Sequence, residues 1–226
     1  MGWDDWIRTV EIEPSIYAAD FSRLGEQLET LLRAGARIFQ FDVGDGHFVE
    51  PITIGPIVLK SISPLVHRLG GVLDCHLMIE FPERHFQAIA EAGGDSVTVH
   101  YEACEDLRRA IRRGRELELR VGVAFNPETE PDDVAAAVGD SVDLVLCMSI
   151  HPGYSGQKFM PEAIGRVRRL RELLPARVHV QVDGGVGIDN IAELRDAGAD
   201  LFVAGSSIFG KEDLPRAYRR LVQALS

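Results

Sequence analysis

Eight short apolar runs, each followed by a stretch with helical patterning, recur along this chain of 226 residues, and no other feature narrows its fold so far. The runs occupy 10–17, 37–43, 70–77, 96–100, 120–125, 142–149, 177–182 and 201–204. After the first, 24–34 carries Leu24, Leu28, Leu31 and Leu32 at helical spacing ahead of Gly35, a C-terminal cap residue. Further helices are expected from Gly55, with Pro56 in the first turn, and over 82–92, 105–117, 131–138 and 161–174. Asp189 is expected to cap a helix running through Ala197, and a last helix spans 214–225. Strands alternating with helices predict a parallel sheet. Eight units averaging about 28 residues suit a closed (β/α)8 TIM barrel, one α/β domain over 1–226, better than an open doubly wound sheet. No GxGxxG follows the first run, so dinucleotide binding finds no support.

A barrel brings the C-terminal ends of its strands to one rim, however distant they are in sequence. That gathers Ser15 from the first strand, Gln40 and Asp42 from the second, and His76 from the third. Met148 joins them from the sixth and Asp183 from the seventh. Within residues 39–47, FQFDVGDGH, period-two spacing sets Gln40 and Asp42 on one face and Phe39, Phe41 and Val43 on the other. Two carboxylates beside an imidazole are stable together only with a cation, a shared proton or good hydrogen bonding. A divalent metal ion held by Asp42, His76 and Asp183 would satisfy all three and keep a position open for substrate oxygens. The other histidines, His47, His67, His85, His100, His151 and His179, are scattered and receive no ligand role. Arg108, Arg109, Arg112, Arg113 and Arg115 read as a solvated helix face.

Three consecutive rim loops are rich in glycine. The sixth strand leads into Gly153, Tyr154, Ser155 and Gly156, the seventh into Gly184 and Gly185, and the eighth into Gly205 and Ser206. Glycine lets the backbone approach a ligand closely, and N–H groups there, with a helix N-terminus, form a phosphate cradle. In barrel enzymes the loops after strands seven and eight are a frequent phosphate site.

The formal net charge of −11 argues against nucleic acid and anionic membrane surfaces as partners. It leaves room for a phosphorylated substrate, because clustered backbone N–H groups are locally positive on an acidic protein. No apolar run approaches the roughly 18 residues of a membrane span. The first ten residues lack the basic and apolar regions of a secretory signal, and Trp6 stands where a myristoylation motif wants Ser or Thr. Cys75, Cys104 and Cys147 make neither a disulfide framework nor a CxxC pair, and those in apolar runs are expected to be buried thiols. A reducing, cytoplasmic setting fits this usage best.

Six segments, in order, resemble the ribulose-phosphate 3-epimerase family along nearly the whole chain. They are Pro14 to Ile16 with Ala19 to Phe21, Phe41 to Val49, Asp74 to Met78, Met148 and Ser149 with Pro152 to Phe159, Val182 to Gly185, and Ala204 to Phe209. The resemblance implies metal-assisted epimerisation at C3 of a ketopentose 5-phosphate, interconverting D-ribulose and D-xylulose 5-phosphates, a step of the pentose phosphate pathway. It places Asp42 and Asp183 on opposite faces of C3, one removing the proton and the other returning it. It makes both aspartates and His76 ligands of a divalent metal, usually zinc in the family, with His76 also beside the substrate. Ser15 would contact substrate, Met148 would line the pocket, and the three glycine loops would hold the phosphate. Relatives are often dimers or hexamers, which raises a homo-oligomer as an expectation.

The departures from the family pattern are specific. Gln40 stands where the family has a ligating histidine, Gly44 where it has methionine, Glu50-Pro51 where it has Pro-Asn, and Ser155 where it has glycine. Gln40 can coordinate only through its amide oxygen, so weaker zinc binding, or a shift toward manganese, magnesium or iron, is expected. Gly44 removes an apolar wall, which would admit another ketose phosphate such as allulose 6-phosphate. Two alternatives to the pentulose epimerase therefore stand: a related 3-epimerase with another substrate, and a catalytically silent barrel that binds a sugar phosphate. A panel of ketose phosphates separates the first, and tight binding without C3 exchange identifies the second.

Overall fold

Apolar residues occupy one face of each run, and covering that face sets the architecture. The computed structural model describes residues 10–225; the opening stretch 1–9, with Trp6, and Ser226 lie outside the described residues. Among those described are strands β1 (Glu11–Pro14), β2 (Ile38–Gly44), β3 (Val72–Met78) and β4 (Ser96–His100). They continue with β5 (Arg120–Phe125), β6 (Leu144–Met148), β7 (His179–Asp183) and β8 (Leu201–Ala204). All pair in parallel, in the order β1-β8-β7-β6-β5-β4-β3-β2. The ring is joined between β1 and β2 by a parallel bridge from Ser15 to Gln40. The expected (β/α)8 barrel is the observed fold.

The helices are α1 (Leu24–Ala34), α2 (Pro56–Arg68), α3 (Phe86–Glu91), α4 (Leu107–Glu116) and α5 (Pro131–Val138). They are followed by α6 (Glu162–Leu173), α7 (Ile191–Asp196), the short α8 (Ser206–Phe209) and α9 (Leu214–Ala224). Outward strand residues such as Phe39, Phe41, Val97, Val123, Phe125 and Val182 pack beneath this layer against Leu28, Leu59, Ile89 and Leu170. Each such side chain contributes about 1.5–3 kcal/mol when removed from water. The sheet–helix shell is thus the larger core.

The barrel interior is divided. Ala124, Leu144, Leu146, Met148 and Leu201 fill one part with apolar side chains. Facing them are Glu13, Asp74, Ser96, Thr98 and Gln181, all buried. Gln181 Nε2 donates to Glu13 Oε2 at 2.9 Å and to Asp74 Oδ2 at 3.0 Å, and Ser96 Oγ donates to Asp74 Oδ1 at 2.6 Å. Burial first, and then the neighbouring Asp74 charge, hold the Glu13 carboxyl well above its ordinary range. Burial likewise raises Asp74.

Local differences from the sequence-based expectations have local causes. The first run yields only β1, because the chain turns into a 3-10 helix at Ile16–Ala18 and leaves Ser15 just beyond the strand. The expected helix over 82–92 splits into a 3-10 turn at Pro82–Arg84 and α3. Asp189 does not cap α7: the cap position falls on Asn190, whose side chain instead folds the preceding turn. Its Oδ1 accepts from Gly187 N at 2.9 Å and its Nδ2 donates to Gly185 O at 3.0 Å. Cys75 and Cys147 are buried as expected, and all three cysteines are free thiols.

Candidate active site

The ends of β1, β2, β3 and β7 bring the expected polar residues into contact. Register pairs Asp42 with His76 across β2 and β3, and Met148 with Asp183 across β6 and β7. Asp42 is nearly sealed, its side chain 5% exposed, whereas the Asp183 side chain is 19% exposed and reachable from the mouth. Ser15 Oγ donates to Asp42 Oδ2 at 2.7 Å. Gln40 Nε2 donates to Asp42 Oδ1 at 2.8 Å and to Asp183 Oδ2 at 2.9 Å. His76 Nδ1 lies 3.1 Å from Asp42 Oδ1 and 3.8 Å from Asp183 Oδ2.

Two carboxylates this close cannot both ionise freely. Burial, and next the Asp42 charge, push the Asp183 carboxyl up to about 6, while the Gln40 hydrogen bond works against that rise. Burial alone would lower His76, but its hydrogen bond to Asp42 and the surrounding carboxylates raise it on balance. Ligand atoms of Asp42, His76 and Asp183 all lie within 4.8 Å of one another. One buried imidazole nitrogen and two carboxylate oxygens, one buried and one reached from the mouth, carry mutual repulsion and suit a divalent cation.

His100, one of the scattered histidines of the sequence, stands directly behind the site. Its Nε2 is 2.9 Å from His76 Nε2, and Glu102 Oε2 is 3.4 Å from its Nδ1. Burial brings the His100 imidazole down to about 4, so it is neutral near pH 7, and in the tautomer with its N–H on Nδ1 toward Glu102 its Nε2 accepts from a His76 Nε2–H. That arrangement turns Nδ1 of His76 toward the carboxylates, as an outer partner of a ligand does. The spacing of His100 and Glu102 at the end of an apolar run was the available signal.

The remaining expected residues line one cavity at the C-terminal mouth. Ser15, Asp42, Met148 and Asp183 form its floor, with the 153–156, 184–185 and 205–206 loops around it. Tyr17, Met78 and Ile150, none of them foreseen, also face it. The loops touch one another, which is where the glycines are needed. A Cβ at Gly185, which has φ +63°, would come within 2.7 Å of Phe159 N; at Gly205 a Cβ would sit 3.3 Å from Ala18 Cβ and in ordinary contact with Ser155 Oγ at 3.5 Å. Gly205 also leads into α8, whose first N–H groups lack partners within the helix. Tyr154 is half exposed and hydrogen-bonds Glu50.

Gly44 does not open the pocket, contrary to expectation. A Cβ there would lie 2.8 Å from Pro51 O, 3.0 Å from Val49 Cγ2 and 3.1 Å from Thr53 Cγ2. The loop after β2 has folded into the space, held by Thr53, whose N–H donates to Gly44 O and whose Oγ1 accepts from Gly44 N.

Fold and rim together define a class: a (β/α)8-barrel enzyme with a carboxylate pair suited to proton transfer, set beside a glycine-lined cradle suited to an anion. The ribulose-phosphate 3 epimerase family matches residues 11–209. The chain is 39% identical over 212 residues to the ribulose-phosphate 3-epimerase of Bacillus subtilis, covering 92% of this chain and 96% of that one. It is 40% identical over 215 residues to that of Synechocystis sp., covering 93% and 92%. The chain belongs to the ribulose-phosphate 3-epimerase family, a family of isomerases. Among solved structures, 3-hexulose-6-phosphate synthase of Salmonella typhimurium superposes with a TM-score of 0.72 at 17% identity, covering 95% of this chain and 98% of that one. Orotidine 5'-phosphate decarboxylase of Pyrococcus horikoshii gives 0.67 at 16%, covering 95% and 98%. At that identity they attest the barrel alone.

Proposed function

We propose that this protein interconverts D-ribulose 5-phosphate and D-xylulose 5-phosphate by inverting C3. The observation that carries this is the pairing of Asp42 with Asp183 across the rim, beside three touching glycine loops. With the phosphate held by the loops at 153–156, 184–185 and 205–206, the sugar carbons lie over the two carboxylates. One aspartate takes the C3 proton and the other returns a proton to the opposite face. Asp183, with its carboxyl raised to about 6, is suited to take up and release a proton near neutrality, and Asp42 accepts hydrogen bonds from Ser15 and Gln40 and lies beside His76 Nδ1. Asp42, His76 and Asp183 would hold a divalent ion. When bound, such an ion supplies positive charge that favours loss of a proton α to a ketone. Met148 and Met78 keep water from the reacting carbons.

The test is C3 exchange in heavy water, with zinc, manganese, magnesium or iron added in turn. Deuterium at C3 is expected, and Asp42→Asn or Asp183→Asn is expected to reduce its entry at least a hundredfold. No exchange with any of the four ions would overturn the assignment. No described helix is long and apolar enough to cross a membrane. Cys75, Cys104 and Cys147 are all free thiols, and that cysteine usage supports a reducing compartment as the working environment.

A further inference from the structure

Gln40 is the chain's departure at the centre of the site, and its geometry gives it a distinct task. The side chain is fully buried. Its Nε2 reaches Asp42 Oδ1 at 2.8 Å and Asp183 Oδ2 at 2.9 Å, so each amide hydrogen is committed to one carboxylate. Its Oε1 is buried with no hydrogen-bond partner among the described residues. Charge fixes this orientation. An amide oxygen in the place of Nε2 would face two carboxylate oxygens at hydrogen-bond distance, with no proton between them.

The two oxygens tied by Gln40 are also the ones nearest His76 Nδ1. A cation held by Asp42, His76 and Asp183 through these two oxygens would stand against the positive ends of the same two N–H bonds. An N–H donor cannot ligate a cation. Turning the amide over would aim Oε1 at the ion but leave two N–H groups where Oε1 now finds no partner, a costly exchange in a buried site. We propose that Gln40 acts as a competitor of the metal ion rather than as its fourth ligand. It ties the two acid–base carboxylates together in the metal-free protein, and the ion must break that tie to bind. The metal site of this chain is therefore weak and readily exchanged, and its carboxylate pair stays aligned between occupancies. This rests on the proposed function for the identity of the metal site, but its test does not use turnover.

The experiment measures Mn²⁺ binding to the stripped full-length protein without substrate, by competition with a chromophoric chelator at a fixed, mildly alkaline pH. Gln40→Leu removes both tie and donor in a similar volume. The competitor role predicts that Gln40→Leu binds Mn²⁺ at least tenfold more tightly than wild type. Equal or weaker binding by the variant, the result a ligand role requires, would overturn the proposal. A second readout uses wild type alone. The Gln40 side-chain N–H signals, assigned by ¹⁵N NMR, should be hydrogen-bonded and slow to exchange without metal, and should lose that protection on saturation with Zn²⁺. Retained protection at saturation would also overturn it. Failure of C3 exchange would refute the assigned reaction while leaving both binding measurements interpretable.

Discussion

Replacing Ser15 with alanine tests how the site controls Asp42. Ser15 Oγ donates to Asp42 Oδ2 at 2.7 Å in a buried setting, while Gln40 Nε2 donates to Oδ1 and His76 Nδ1 lies 3.1 Å from it. A hydrogen bond to a charged group contributes about 1.5–3 kcal/mol, and its loss leaves Oδ2 without its partner in a nearly sealed position. At about 1.4 kcal/mol per decade, the expected loss is about 10–150-fold in kcat/KM. The split between constants identifies the mechanism. If Ser15 acts by aligning Asp42, the loss appears in kcat; if it acts by touching substrate, as the family resemblance implied, it appears in KM. The fold should be spared, because the Ser15 N–H bond to Ala204 O and the bridge to Gln40 are backbone features that alanine keeps. The assay is initial-rate epimerisation of ribulose 5-phosphate, with thermal unfolding as control. A kcat/KM within threefold of wild type, with folding intact, would refute the reasoning.

Other perturbations read the scaffold. Gly185→Ala forces a left-handed backbone position, about 1–2 kcal/mol, and presses a Cβ to 2.7 Å from Phe159 N, about 1–3 kcal/mol more. At about 2–4 °C per kcal/mol for a chain of this size, Tm should fall by about 4–20 °C, and a fall under about 2 °C by calorimetry would count against that packing. Glu13→Gln keeps an acceptor for Gln181 and removes an acid whose folded carboxyl lies well above its ordinary range. Above the unfolded value the unfolded chain releases this proton while the folded chain keeps it, so wild-type stability is lost as pH rises. The Tm advantage of Glu13→Gln should therefore be absent in acid and grow from about pH 4.5 upward; a difference that stays constant with pH would contradict the raised carboxyl.

Much of the site was legible because its signals are local. Alternation within 39–43 already set Gln40 and Asp42 against Phe39, Phe41 and Val43, and the barrel repeat then carried His76 and Asp183 to the same rim. What escaped depended on contacts between distant segments. His100 looked like one of several scattered histidines until β4 placed its Nε2 against His76. Gly44 looked like a missing wall until the loop holding Val49, Pro51 and Thr53 occupied the space. Asp189 and Asn190 are both good caps by type, and the turn at Gly185–Gly187 decided between them.

The sequence by itself determined the eight-unit barrel, the acid pair, the imidazole and the glycine loops, because hydrophobic period and strand-end position are properties of short segments. Tertiary structure alone decided which way the Gln40 amide turns. A side-chain amide can donate or accept, and only the two carboxylates arriving from β2 and β7 present their oxygens to it and select the nitrogen. Composition permits both roles. The electrostatics of the assembled rim permit one.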